Sequence, residues 1–383
     1  TYMQPEADMR IGITTIREKW ESLLQQKSST LTEGYLAGKF PLEKAEDNLM
    51  INGSVVPDKT MVERILKLKP REALTTETYI IAMRMTAENL LGVEEPARDE
   101  AGLNQNVTYH QYEHEHQKID YPWQLFTLND QVIRMDFERI TKGKNSARLS
   151  KTNTVIKPQQ VFVEKGAKVE GAIINATDGP VYIGEDAEIM EGATIRGPLA
   201  LCNNAKIKMG AKIYGPVTIG PWSKVGGEVH ESVIFGFSNK SHDGFLGHSV
   251  IAEWCNLGAD TNTSNLKNTY EEVRLYSYPK SSFMKTGEQF IGLIMGDHSK
   301  CGINTMFNTG TVVGVNVNIY GEGFQRNFIP SFTWGSKSGY QQYLFDKAVK
   351  VAKAVYKRRG MEFDETEQAI LKSVFELTAR FPK

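Results

Sequence analysis

Cysteine is scarce: the 383 residues hold three, and none forms a CxxC pair. That excludes a disulfide framework and makes a reducing cytoplasm the expected setting. An excess of either charge is also missing, with 45 basic residues against 46 acidic ones and a formal net charge of −1. Such a balance argues against a nucleic-acid-binding surface and leaves no charged tail. Long apolar runs are absent, since none approaches the ~20 residues needed to cross a bilayer. The opening stretch TYMQPEADMRIG has neither the basic start nor the apolar core of a signal peptide. It begins on Thr1, and a short native N-terminus is expected ahead of it. Glycine is missing in a more local sense. Of 33 glycines, few precede residue 140 or so, whereas they are frequent from 166 to 339.

The composition that remains, 40% hydrophobic and 24% charged, fits a globular chain with a substantial core. Its length suits two or three domains. Up to about residue 140 the pattern is α/β. Thr15 and Glu18 form a capping-box pair ahead of Ile16, Trp20, Leu23 and Leu24 on one helical face. Asn48–Ile51 is a strand candidate turned by Asn52-Gly53, and Asp58 opens a helix through Met61, Val62, Ile65 and Leu66. Ala73–Glu88 supplies a further strand and helix, so βα units and a partly parallel sheet are expected. The polar stretch TKGKNSARLSKTN, residues 141–153, reads as a linker.

From Val163 a period of six takes over. Ile183, Ile189, Ile195, Leu201, Ile207, Ile213, Ile219 and Val225 keep one phase. It returns at Met295, Cys301, Phe307, Val313 and Ile319. Neither an amphipathic helix nor an alternating strand repeats in sixes. A coil of short parallel strands does, with three faces per turn and the aliphatics stacked inside. The last segment is helical: Tyr340, Leu344, Ala348, Val351 and Val355 share a face, and Asp364 and Glu367 open a second helix. The expected organisation is an α/β domain at 1–140, a linker at 141–154, a left-handed parallel β-helix at 155–335 and short helices at 336–383.

The six-residue phase is lost between Glu228 and Phe290. A regular coil gains nothing from irregularity, so chemistry is expected there. The segment holds His230, His242 and His248, with Asn256, Asn262, Asn265 and Asn268. Imidazole, with an unperturbed pKa of ~6.5, can remove a proton from an amine near neutral pH. Asparagine both donates and accepts, which suits sugar hydroxyls, and lysine suits a phosphate. The bland alternatives are a surface histidine and an asparagine ladder capping turns. His230, His248 and His298 read as structural. His114 and His116 alternate on a strand, but without a third ligand at a set spacing no metal site is assigned.

Three motifs carry a resemblance: HDGFLG, NLGADT and SNLK, spanning His242–Gly247, Asn256–Thr261 and Ser264–Lys267. They resemble the acetyltransferase centre of the bacterial bifunctional UDP-N-acetylglucosamine pyrophosphorylase/glucosamine-1-phosphate N-acetyltransferase family, which reads roughly H-x-x-Y-L-G, N-[IV]-G-A-G-T and C-N-Y at the same intervals. The resemblance implies a nucleotidyltransferase-like α/β domain joined to a left-handed β-helix. It implies transfer of an acetyl group from acetyl-CoA to an amino-sugar 1-phosphate. By position it makes His242 catalytic, gives Asn256 and Phe245 to the amino sugar and assigns Lys240 to its phosphate. Ala259, Asn265 and Gly321 fall to acetyl-CoA. It also implies a homotrimer with sites between subunits, and neither nucleic acid nor membrane as partner. Phe245 and Leu266 depart from the family, standing where it has tyrosines.

At the N-terminal end the family has a G-x-G-T-R loop and a proline-lysine pair. Gln4-Pro5-Glu6-Ala7 offers no lysine, and Ser54 stands where a metal-binding Asp follows glycine. A serine hydroxyl does not replace a carboxylate's charge on Mg²⁺. Mg²⁺ therefore enters only if that domain is active. The alternative function is a sugar-1-phosphate nucleotidyltransferase whose β-helix serves oligomerisation or regulation. A non-enzymatic scaffold is a third.

Overall fold

An aliphatic every six residues can be buried by coiling the chain so that equivalent positions stack. The computed structural model has this arrangement; it describes residues 2–90 and 107–381. By contacts the chain divides into two units. One comprises Thr1–Met9, Thr14–Asp120 and Asp364–Ser373; the other comprises Arg10–Ile13, Tyr121–Phe363 and Val374–Lys383. Each is taken by itself.

The larger unit is a parallel β-helix with three faces. Among the described residues the first face carries nine strands, from Val161–Val163 to Phe328–Ile329. The second carries ten, from Lys168–Val169 to the hairpin Thr333–Ser336 and Gly339–Gln342. The third carries six, from Thr154–Ile156 to Phe245–Gly247, and Asn262–Thr263 and Met306–Phe307 extend it. Register is uniform: Ile183 pairs Leu201, which pairs Ile219, and Ile189, Ile207 and Val225 do likewise. These side chains are buried and form one continuous core. Each aliphatic removed from water contributes roughly 1.5–3 kcal/mol.

The expected interruption from Glu228 is smaller than the sequence indicates. The coil continues through Glu228–His230, Val233–Ile234, Asn239–Lys240 and Phe245–Gly247, with Val229, Ile234, Leu246 and Ile251 still inward. The phase is lost because a corner is shortened, while the stack goes on. The real excursion follows Thr263, where Arg274–Ser277 and Ser282–Lys285 form an antiparallel hairpin. The chain re-enters the coil at Leu293–Met295, whose residues pair with Val250–Ile251.

Helix α1, Asn129–Thr141, belongs to this unit. Its Ile133 is buried with Phe162, Tyr182, Ala200 and Ile13. Asn129 and Asp136 accept from the backbone N–H groups of Gly12 and Ile13, each at 2.8 Å. Helix α2, Phe345–Arg358, buries Ala348, Val349, Ala352 and Tyr356. Tyr340 lies in the preceding strand, outside the helical face expected from the sequence. The Tyr356 ring stacks on Trp254 at 4.0 Å, and Trp254 on Phe237 at 4.3 Å.

In the smaller unit the capping box forms as expected: the Thr15 hydroxyl accepts from Glu18 N, and the Glu18 carboxylate from Thr15 N. Asp58 caps Lys59–Ile65. The sheet order is Asp47–Ile51, Ile80–Thr86, Glu72–Thr75, Thr108–Gln111, with only the last pair parallel. Residues 73–88 give two antiparallel strands where a strand and a helix were expected. Thr75, Thr76, Thr78, Tyr79, Ile80 and Ile81 are β-branched or aromatic and favour extended backbone. Thr75 and Thr76 close the turn on Tyr79. Among the described residues no helix is long and apolar enough to cross a membrane.

Candidate functional site

The corner between the second and third faces is four residues long at 190–193, 208–211, 241–244, 258–261 and 302–305, and only two at Gly226-Gly227. His242 lies in the 241–244 corner, stacked one coil above that short corner. Gly227 has φ +70°, and a Cβ there would lie 2.8 Å from Asp243 Cα and Gly244 O. Glycine is therefore needed for the His242 turn to settle on the coil beneath it. On the other side Asp260 N donates to Asp243 O at 3.1 Å, and Asn262 Oδ1 accepts from Phe245 N at 2.8 Å. The backbone of this turn is thus held from both sides, while the His242 imidazole is exposed and has no partner among the described residues. The N–H groups of Asp243 and Gly244 also have no acceptor among the described residues.

Lys240 is not in the open. It occupies an inward slot of the core, in register with Val225, and is buried. Its ammonium donates to Gly226 O at 3.0 Å and His242 O at 2.7 Å. Burial pushes its pKa down to about 8. The expected phosphate contact is corrected accordingly: the side chain ties two adjacent corner carbonyls together under His242.

The remaining expected residues divide between two edges of the third face. Ala259 lies one coil beyond His242 on the same corner, and Gly321, with φ +95°, lies three coils beyond it. Asn256 is exposed on the second face, flanked by Asn239 and Lys300. Phe245 opens the third-face strand, its ring lying over Gly247. Asn265 is on the opposite edge, beyond the strand's far end. The strand between the edges spans three residues, or about 10 Å.

That opposite edge holds a cluster built on His230 and His248, expected to be structural, and on Glu231, which no sequence motif singles out. Glu231 Oε1 is 3.1 Å from His230 Nε2, and Oε2 is 3.2 Å from His248 Nε2. The His248 Nδ1 lies 2.8 Å from the Asn265 amide. Hydrogen bonds from His230 and His248 hold the Glu231 carboxyl well below the usual carboxylate range. The donor atoms of His230, Glu231 and His248 lie within 4.8 Å of one another. The available signal was spacing: Glu231 and His248 are 17 apart, which is one coil here, where His230 pairs with Gly247.

In the smaller unit Ser54 is buried, its hydroxyl donating to Asn52 Oδ1 at 2.7 Å. His116 contacts Tyr79 and the His114 carbonyl, and among the described residues no three-ligand group forms around it.

A sugar nucleotidyl transferase family model matches residues 1–145. A putative uncharacterized acetyltransferase of Escherichia coli K12, YaiX, is 34% identical over 159 residues, 41% of this chain and 68% of that one. The bifunctional sugar-1-phosphate nucleotidylyltransferase/acetyltransferase of Sulfurisphaera tokodaii is 37% identical over 160 residues. By the YaiX match the chain belongs to an acetyltransferase family, and its residues 1–145 match the sugar nucleotidyl transferase model. The Sulfurisphaera match covers 41% of this chain and 37% of that protein. The bifunctional protein GlmU of Methanocaldococcus jannaschii is 36% identical over 89 residues, 23% of this chain and 21% of that one. The chain thus spans little more than a third of the Sulfurisphaera protein's length and about a fifth of the Methanocaldococcus protein's.

Proposed function

We propose that the chain is an acetyl-CoA-dependent N-acetyltransferase acting on an amino-sugar 1-phosphate, with glucosamine 1-phosphate as the acceptor. The observation that carries this is the His242 turn: an exposed imidazole on a backbone pinned from both sides, with two free N–H groups beside it. Family membership supplies the reaction class.

The chemistry follows from these groups. An amino sugar near pH 7 is largely protonated and does not attack a thioester. The ammonium first gives one proton to solvent, and His242 takes the second as the free amine attacks the acetyl carbonyl. The tetrahedral oxyanion is stabilised by the N–H groups of Asp243 and Gly244. Collapse breaks the carbon–sulfur bond, and the imidazolium returns its proton to the departing thiolate. Asn256 and Phe245 bind the sugar; Ala259, Asn265 and Gly321 bind the coenzyme.

Asn265 and His242 lie on different edges of one face, which suits a site built from two copies of the chain. This supports the homotrimer, and a monomeric mass in light scattering overturns that part. Exposed apolar side chains on the His242 edge, Met209 at 68% and Ile303 at 70%, suit either pantetheine or a second copy.

A second reading, a sugar-1-phosphate nucleotidyltransferase, is favoured by the match at residues 1–145. The Ser54 hydroxyl, turned onto Asn52, weighs against metal-assisted chemistry at that position. Incubation with acetyl-CoA and a panel of amino-sugar phosphates, following free thiol, tests the first reading. Thiol release dependent on an amino-sugar 1-phosphate is expected; none with any acceptor overturns it. Pyrophosphate release from a nucleoside triphosphate and Mg²⁺ marks the second.

A further inference from the structure

The corner between the third and first faces takes up left-handed backbone in three successive coils. The first of these positions is Gly215, at φ 73°. The next two are Glu231, at φ 41°, and His248, at φ 48°. Side chains are uncommon in this region, and the coil accepts the strain at several other corners too, Trp222, Phe237 and Trp254 among them. The Glu231 side chain lies over Gly215, where a Cβ would come within 2.8 Å of Glu231 Cγ and His230 Cδ2. The strain therefore aims the carboxylate back across the coil, between two imidazoles.

We propose that His230, Glu231 and His248 bind one divalent transition-metal cation of the Zn²⁺ class. The donor set is two imidazole nitrogens and a carboxylate, which suits Zn²⁺ and its borderline neighbours. Adjacent donors of a tetrahedral zinc ion lie about 3–3.5 Å apart. Here the carboxylate oxygens stand 3.1 and 3.2 Å from the two Nε2 atoms. The surroundings are those of a supported site. Tyr214 stacks on His230 at 4.5 Å, Phe290 on His248 at 5.1 Å, and Phe126 meets His248 edge-on at 5.9 Å.

The Asn265 amide at 2.8 Å from His248 Nδ1 completes the support. A half-turn of that amide exchanges its oxygen and nitrogen without moving the heavy-atom frame. Nδ1–H then donates to Asn265 Oδ1 and leaves the Nε2 lone pair for the metal, the usual outer contact of a ligating histidine. Side-chain exposure rises from 10% at His248 through 24% at His230 to 35% at Glu231. One coordination position therefore faces solvent and takes water or an anionic group.

The test uses the full chain, stripped with a chelator and dialysed. Co²⁺ is titrated in and followed by its visible absorption, and Zn²⁺ by calorimetry. One equivalent per chain is expected. Glu231→Gln and His248→Gln should each lose at least tenfold in affinity, while His242→Ala keeps the equivalent. Circular dichroism shows whether each variant folds. Should either fail to fold, Asn265→Leu replaces it, with a loss of about 10–100-fold expected. Absence of saturable binding, or an equivalent retained in all three cluster variants, overturns the site. In that case Glu231 is simply a carboxylate accepting two imidazole N–H bonds.

Discussion

The two edges of the third face present histidines in opposite ways. On one edge His242 rides a turn whose backbone is held by the coils on either side, and its imidazole has no partner among the described residues. On the other, His248 is enclosed by Glu231, Asn265 and three aromatic rings, on backbone a glycine occupies one coil earlier than Glu231. The coil supplies the same spacing at both. What differs is whether flexibility was removed from the backbone or from the side chain. An unpartnered imidazole on a fixed turn can accept and return a proton. An imidazole fixed at both nitrogens is a ligand or a strut.

Breaking the shared scaffold should have the largest effect on stability. Ile207→Ala, in the buried stack, is expected to cost about 2–5 kcal/mol in urea unfolding. Exposed Met209→Ala, two residues on, should stay within ~0.5 kcal/mol. A small loss at Ile207 would mean that the coil does not depend on its stack. Next come the corner glycines. Gly210 has φ +68° and open space where a Cβ would go, whereas Gly227 has φ +70° and backbone 2.8 Å away. Gly210→Ala should cost about 1–2 kcal/mol and Gly227→Ala on the order of 3 kcal/mol. Only Gly227→Ala should also slow acetyl transfer, because only it displaces the His242 turn. Equal effects of the two would remove the short corner's special role.

The smallest effect concerns Lys240. With its pKa lowered to about 8 from the ordinary 10.5, the folded chain gives up this proton before the unfolded chain does. Between those values the unfolded state holds more protons, so stability rises with pH across the window. Lys300 has a similar shift and contributes in the same range. The readout is therefore the difference in the slope of stability with pH between wild type and Lys240→Met over pH 8–10.5. Parallel stability curves would show that the Lys240 ammonium is not held inside.

The six-residue period was legible because each inward slot is filled by a single small aliphatic, and its phase survives any choice of surface residue. Lys240 was not legible, since nothing in the sequence distinguishes a lysine in a core slot from one at the surface. The shortened corner at Gly226-Gly227 shifted the phase and made a continuous coil look interrupted. The Ile80–Thr86 strand was read as helical because Ile80, Ile81 and Met83 fit either period over so short a run. The motif residues of the His242 edge could be named from local sequence. The Glu231 cluster could not, because its members become neighbours only when residues about 17 apart are stacked by the coil.

Thiol release from acetyl-CoA in the presence of glucosamine 1-phosphate, compared between wild type and His242→Ala, tests the proton-transfer role most directly. Removal of the base should lower the rate by roughly 10²–10⁴-fold with the fold intact. A rate unchanged in His242→Ala would contradict it and leave the exposed imidazole without a part in the chemistry.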